Sequence, residues 1–456
     1  MKLPITFAAF ALLASPTLAA PCFSAFPSDG NSNINVSFTG MVAENFAPVT
    51  CTVTTDPVVI QNDDSASPDG AIYAYSSEYR VDSATGDTIH LETTSNGVTK
   101  SVTAPGNTDD STYVRNYAGV VKGDPLQTDI TLGVDSPEDL TAELVSLDYN
   151  FLGYTTLDDQ TASLEQVSGA QTAVVTHLNT TVGLIVGANK PLERDNEIGL
   201  IGAIGSYTVG VTGHYNFGDG FSFDGGAALF EQSVGGAATS GVLFGGKASY
   251  LQPEDGSSFR LLGNAGLSVA PNASMSFSRD YTLFGAGDDF SDVATSGTAS
   301  GNGTMIGAWV EGGVLIAPDA NNEVIFSASY ARNWLSLDGI TEEQTDSNPF
   351  AASMDGTYTY DTIKAKAAWT TSITPDVDLT AHGAIGYVFA PGDLVTDVAL
   401  VGPMTVGGQD EAFAEYGARV GWNVTEATQL GAFVVGSTGS VTGTHFQVGA
   451  DVSMKF

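Results

Sequence analysis

The last sixteen residues, Val441 to Phe456, alternate without a break. Phe446, Val448, Ala450, Val452, Met454 and Phe456 share one face of an expected strand, and His445, Gln447, Gly449, Asp451, Ser453 and Lys455 share the other. One face suits hydrocarbon and the other suits water. A half-buried strand of a soluble sandwich would alternate in the same way, so the rest of the pattern has to decide between them.

The alternation recurs upstream. From about Thr181 we expect twelve strands, at residues 181–190, 198–217, 221–232, 241–251, 258–270, 303–317, 323–335, 356–373, 377–390, 412–424, 428–437 and 441–456. Aromatic residues gather near strand ends, as in Tyr215 and Phe217, Tyr387 and Phe389, and Trp422, where the girdles of a transmembrane barrel lie. Short connections (Gly218–Gly220, Gln252–Ser257, Pro318–Asn322, Thr374–Asp376, Thr425–Ala427) alternate with long ones (Pro271–Asn302, Ser336–Asp355, Pro391–Glu411). Membrane barrels have short turns on one side and long loops on the other; a soluble sandwich has no reason to. Thr438–Ser440 is a short exception on the long side.

Ahead of these strands, Leu157 to about Asn179 predicts a helix, with Leu164, Val167, Ala170, Val174, Val175 and Leu178 among small polar residues. That narrow stripe fits a surface helix or the wet interior of a barrel. Earlier still, residues 20–155 hold short β-type runs such as Thr50–Thr54, Val58–Gln61 and Ala71–Val81, separated by turn signals such as Asp69-Gly70 and Asn96-Gly97. A small antiparallel β-sandwich is expected there. The start of the chain predicts a signal peptide over residues 1–19: Lys2, an apolar run from Ile5 to Leu13, then Thr17-Leu18-Ala19. Pro21 before Cys22 argues against lipidation. The expected organisation is therefore a signal segment 1–19, a β-rich domain 20–155, a linker helix 156–180 and a barrel 181–456.

Composition narrows the class. Charged residues make up 15% of the chain, and 53 glycines accompany 9% aromatics, which suits an all-β protein and not a disordered one. No segment has the roughly 20 consecutive apolar residues of a membrane helix, so a bilayer could be crossed only by a closed barrel. A net charge of −37 argues strongly against nucleic acid as a natural partner, since phosphate binding relies on lysine and arginine. Cys22 and Cys51, the two cysteines, are expected to pair in an oxidising compartment, worth roughly 3–4 kcal/mol; a pair of free thiols is the alternative.

Strand parity sends Lys247, Arg260, Lys364, Lys366, Arg419 and Lys455 to the inner face, with Asp224, Glu311, Glu415 and Asp451. A lysine or arginine on the lipid face near the midplane costs about 2–4 kcal/mol, so a barrel demands this placement. Arg332 is the outward exception, near its strand's end. The helix would fill the lumen, Asp158, Asp159 and Glu165 meeting some of the cations; a water-filled charged channel is the alternative.

The terminal strand, with Gln447, Gly449, Val452, Met454 and Phe456, resembles the assembly-signal strand of bacterial outer-membrane barrels. Together with the signal segment, N-terminal domain and polar helix, it resembles a classical monomeric autotransporter of type V secretion. The resemblance implies a helix threading the pore, an N-terminal passenger at the surface of a Gram-negative cell, and outer-membrane lipid, periplasmic chaperones and the barrel assembly machinery as partners. The helix has no Asn-Asn pair, so self-cleavage is not expected. An outer-membrane channel with a periplasmic N-terminal domain is the alternative.

Little points to catalysis. There is no Gly-x-Ser-x-Gly elbow, paired-cysteine metal site or phosphate-binding glycine loop, and Gly86-Asp87 and Gly123-Asp124 lack a following serine. No enzyme, cofactor or metal is expected. His177, His214, His382 and His445 could gather in a lumen, where solvated side chains are the plainer account. Asp63-Asp64, Asp109-Asp110 and Asp288-Asp289 with Asp292 could take up Ca²⁺, but none belongs to a spaced ligand loop.

Overall fold

A computed structural model describes residues 21–25, 33–37, 42–44, 48–57, 67–83, 88–105, 112–134, 141–254, 257–286, 291–319 and 321–456. The expected signal segment, the run 58–61 and the carboxylate pairs Asp63-Asp64, Asp109-Asp110 and Asp288-Asp289 lie outside the described residues. The chain divides into two compact units, Met1–Tyr154 and Thr155–Phe456.

The first unit holds β1 (Pro21–Ala25), β2 (Asn33–Ser37), β3 (Val42–Glu44), β4 (Val49–Pro57), β5 (Ile72–Ser83), β6 (Thr88–Ser95), β7 (Val98–Pro105), β8 (Thr112–Val121), β9 (Pro125–Val134) and β10 (Thr141–Thr155). They form two sheets, ordered β1-β4-β9-β6-β7 and β2-β10-β5-β8, with β3 also on β10. Alternate residues of both sheets close one core: Val53, Leu91, Ile130 and Leu132 face Tyr75, Tyr79, Ala118, Leu147 and Tyr149. The strand β1 runs parallel to β4, which sets the strand of Cys22 beside that of Cys51.

The second unit opens with α1 (Leu157–Ile185). It is followed by β11 (Glu197–Ile204), β12 (Tyr207–Gly218), β13 (Phe221–Val234), β14 (Ala237–Leu251), β15 (Phe259–Leu283), β16 (Val293–Asp319), β17 (Asn322–Thr341), β18 (Ala352–Thr374) and β19 (Val377–Phe389). Next come β20 (Leu394–Val398), β21 (Gly402–Val406), β22 (Glu411–Thr425), β23 (Thr428–Gly439) and β24 (Gly443–Lys455). Twelve of these strands close an antiparallel barrel around α1: each pairs with its sequence neighbour, β19 pairs with β22, and the ring shuts where β11 meets β24. The hairpin β20–β21 stands outside the ring, joined to the start of β18 through Ala352↔Val398.

The barrel wall is apolar outside and polar inside. On β24, Phe446, Val448 and Met454 are exposed while Gln447, Asp451 and Ser453 are buried. The far parts of β15 and β16 reverse this, because there the inward residues Phe277, Tyr281 and Leu283 are buried apolar groups. At 25 and 27 residues these two strands are more than twice the 9–11 needed to span a bilayer.

Two expectations are corrected. Residues 181–190 are not a strand, because α1 runs on to Ile185. It closes through Ala188 N–H to Gly183 O (2.8 Å) and Gly187 N–H to Leu184 O (3.2 Å), with Gly187 at φ +67°. Alternating Val182, Leu184 and Val186 imitate a strand, but the glycine two residues past the helix supplies a left-handed cap. The single strand expected at 198–217 is two, β11 and β12, turning at Gly205-Ser206. The two errors cancel in the count, and the barrel wall begins at Glu197 and not at residue 181. The expected loop 271–302 is likewise largely strand, and the loops 336–355 and 391–411 are about half strand.

Candidate functional site

The lumen is occupied by α1, and every residue from Val167 to Leu178 is buried, on all faces of three helical turns. A one-sided stripe is therefore absent for a physical reason: this helix is wrapped by the wall on every side. Its start is capped by the Thr156 hydroxyl, which accepts from the Asp159 N–H at 3.1 Å.

At the far end of the barrel, opposite Glu197 and Lys455, a buried cluster clamps the first turns of the helix. Arg279 on β15 is 1% exposed. It donates to Glu342 (Nε to Oε1, 2.8 Å), to Gln160 Oε1 (2.7 Å), to Ser163 Oγ (2.9 Å) and to the carbonyl of Phe350. Glu342 also accepts from Asn348 (3.2 Å) and from the Ala352 N–H (2.9 Å), so the β17–β18 connection is tied into the clamp. Its carboxylate is the counter-ion that a fully buried guanidinium requires.

Along the middle, Gln166 exchanges hydrogen bonds with the backbone of Asp280 (3.1 and 2.9 Å), and Tyr360 donates to Gln171 (2.9 Å). Gln232 donates to Thr181 at 3.0 Å, and His177 meets His445 edge-on, ring centroids 4.4 Å apart. Close approach is possible because small residues face each other: a Cβ on Gly235 would lie 3.0 Å from that of Ala173, and one on Gly169 would lie 2.8 Å from Val441.

At the end carrying the strand termini, residues 186–196 fold back across the lumen and bring their own charges. Glu193 takes a two-pronged pair from Arg260 (2.7 and 2.8 Å). Lys190 pairs with Glu197 (2.8 Å) and Asp451 (3.6 Å), and Arg194 with Asp224 and with Glu197 (3.3 Å). Asp224 also binds His214 Nδ1 (2.8 Å) and Lys247 (3.1 Å), while Arg419 grips Asp451 through two nitrogens (2.9 and 3.0 Å).

Each sequence-expected charge can now be placed. Lys247, Asn264, Glu311, Lys364, Lys366 and Glu415 surround a cavity of about 140 Å³ against α1. Glu311 accepts from Asn264 (3.0 Å) and Ser327 (2.6 Å), Lys364 pairs with Glu415 (2.8 Å), and Lys366 donates to the Ala188 carbonyl (3.2 Å). On β24, Gln447 is buried and donates to Thr181 at 3.3 Å, Gly449 packs under Phe433, and Met454 and Phe456 face outward with Val452 half-buried beside them.

The expected acidic partners on the helix are a correction. Asp159 accepts from the Thr282 N–H (3.1 Å), Asp158 and Glu165 are exposed, and among the described residues none of the three pairs with a cation; neutral Gln160 and Ser163 meet Arg279. Sequence reasoning missed Arg279, Glu342, Glu193 and Arg194. Arg279 had a signal: Met275, Phe277, Arg279, Tyr281 and Leu283 continue the alternation of β15. Among the described residues no three metal-ligating side chains converge.

No family model matches the chain, and no curated protein matches it. Among solved structures it is similar to the translocator domain of the autotransporter NalP from Neisseria meningitidis, at 12% identity and a TM-score of 0.43, covering 63% of this chain and 98% of that one. It is also similar to the beta domain of the Bordetella autotransporter BrkA, at 14% identity and a TM-score of 0.34, covering 57% and 99%. The porin NanC is similar at 8% identity and a TM-score of 0.34, covering 57% and 100%.

Proposed function

We propose that the second unit spans an outer membrane as an autotransporter-like barrel and that α1 tethers the N-terminal unit on the outer side. The observation that carries this reading is the course of α1. The helix enters at the far end, beside Arg279, and leaves at the end that holds both barrel termini. The even strand count puts both termini on one side; with that side in the periplasm, as the resemblance of the terminal strand to an assembly signal implies, the chain ahead of Thr156 emerges outside.

The membrane part of the reading rests on the wall itself. Ile198, Leu200, Val211, Phe223, Leu267, Phe326, Ile385, Trp422 and Phe446 are all exposed around the ring, which water would penalise at roughly 25 cal/mol per Å² of apolar surface. A packed lumen argues against a passive channel. The N-terminal unit would serve in surface binding or shielding, without catalysis, held by a Cys22–Cys51 disulfide that the adjacency of β1 and β4 supports. Outer-membrane lipid, periplasmic chaperones and the barrel assembly machinery are the partners this reading implies.

Protease shaving of intact cells tests it. An epitope within residues 22–150 should be lost while a periplasmic marker survives. Protection of that epitope until the outer membrane is permeabilised, in cells whose barrel loops are cut, would leave a barrel with a periplasmic domain.

A further inference from the structure

The strands β15 and β16 outgrow their neighbours. β14 pairs with β15 only as far as Ala237↔Phe277, and β17 pairs with β16 only as far as Thr341↔Ser300. Residues 278–283 and 293–299 therefore make a two-stranded ribbon with an edge on either side. The Ser278 N–H goes to the Gly236 carbonyl (2.9 Å), on the β14 side. Directions alternate along an antiparallel ladder, so Asp280 and Thr282 turn their backbone groups the same way. Their partners across the ribbon, Ser296 and Ala294, turn theirs to the opposite edge, as does Thr298 opposite Ser278.

The two edges are finished differently. Side chains of α1 close the β15 edge: Gln166 donates to the Asp280 carbonyl (3.1 Å) and accepts from its N–H (2.9 Å), and Asp159 accepts from the Thr282 N–H (3.1 Å). The β16 edge has no such cover. Among the described residues no hydrogen bond reaches the outward backbone groups of Ala294, Ser296 and Thr298, and all three residues are exposed. Native proteins blunt an exposed edge with charge, proline or a bulge, because an open one pairs with another strand. Between Asp292 and Glu311 there is neither a charged residue nor a proline.

We propose that this edge pairs with the same edge of a second copy of the chain, antiparallel and centred on Ser296. A twofold axis sets Ser296 opposite Ser296 of the second copy and Ala294 opposite its Thr298, each edge residue exchanging an N–H and a C=O with its opposite number. The argument for a second copy is charge. Molecules of net charge −37 repel, and here they meet through alanine, serine and threonine alone. The acid beside Ser296, Asp280, lies one strand back, so the two copies of it stand three interstrand steps apart. That is roughly 14 Å, beyond a Debye length at physiological salt. A twofold axis across the strands also turns the two barrels head to head. Resting on the membrane reading above, the pair therefore joins two facing membranes and not neighbours in one. So small a contact is weak singly and holds by number.

The test uses the full chain in phospholipid vesicles, with clumping followed by light scattering and insertion read by heat-modifiable migration. Wild-type vesicles should clump, and the amides of Ser296 and Thr298 should exchange about tenfold more slowly in clumped than in dispersed vesicles. Ala294→Glu/Thr298→Glu should stay dispersed, since its new carboxylates lie beside Thr282 and Ser278 within one copy but against each other across the pair. Ala294→Lys/Thr298→Lys should also stay dispersed alone. The two variants mixed should clump, because the register then sets each lysine opposite a glutamate. Inserted wild type that stays dispersed, clumping that survives in either variant alone, or mixed variants that stay apart overturns the pairing. Protection of both amides in dispersed vesicles would mean that this chain's own N-terminal unit covers the edge, which overturns it too. A wild type that never inserts overturns the membrane reading alone; the edge is then judged by dimerisation of the detergent-solubilised chain, which each variant should abolish and their mixture restore.

Discussion

Arg279 concentrates more of the architecture than any other single side chain, since it joins α1, β15 and the β17–β18 connection while fully desolvated. Removing one member of a buried charged cluster leaves the other uncompensated, typically at about 3–5 kcal/mol. Arg279→Ala should therefore loosen the first turns of the helix, and amide exchange across 157–168 should rise by two orders of magnitude or more while the 170s stay protected. Unchanged exchange in a folded variant would remove the clamp from this account. The N-terminal unit offers a test of a different kind. Burial pushes the phenols of Tyr75, Tyr79 and Tyr149 above their ordinary value, Tyr149 although its hydroxyl donates to Thr128 at 2.6 Å. Their stabilisation is complete below pH about 10, where the unfolded chain also keeps its phenolic protons. Above that pH the unfolded state releases protons that the folded state retains, so stability falls as pH rises. Absorbance at 295 nm should show these three ionising only together with unfolding.

At the scale of elements, the seat of α1 is made by what the wall lacks. Gly226 and Gly245 leave room for Ile185 and Val186, and a leucine at Gly245 would place its Cβ 3.1–3.2 Å from both before the rest of the side chain is added. Overpacking of this kind costs about 1–3 kcal/mol. Gly245→Leu should displace the end of the helix and raise single-channel conductance in planar bilayers above a small wild-type value; identical conductance in an inserted variant would count against the plug. The same element shows what the sequence could and could not tell. The wall was legible because period-two alternation is local, as on β24. The lower end of α1 was not, because Val182, Leu184 and Val186 alternate as a strand would, and only tertiary closure shows Leu184 packed on the inward Ile201, Ala203, Phe433 and Val435. The projecting halves of β15 and β16 were hidden too, since their Ser, Thr, Gly and Asn composition matches loops and only the alternate positions carry the strand. Glu193 and Arg194 lie in irregular backbone, where no periodicity assigns a direction, so their pairs with Arg260 and Asp224 depend on tertiary closure.

For the whole molecule, the charge distribution and the division into two units belong together. Of the ten lysines and arginines after residue 155, only Arg332 stands on the outward wall, so the barrel uses its cations to close the lumen, although its 33 acidic residues still leave it at −23 of the net −37. The two units have separate cores, a two-sheet sandwich before Tyr154 and a wrapped helix after it. Separate cores should melt separately, because a cooperative transition extends only as far as shared packing. A Cys22–Cys51 crosslink would restrict only the unfolded ensemble of the first unit, by roughly 3–4 kcal/mol in the chain-entropy model. The full chain in detergent should then show two thermal transitions, and a reductant should lower the first while the barrel transition stays in place. Alkylation before reduction should leave both thiols unlabelled. A single transition, or two that shift together on reduction, would mean that the units share their stability and that the sandwich is not an independently folded domain carried by the barrel.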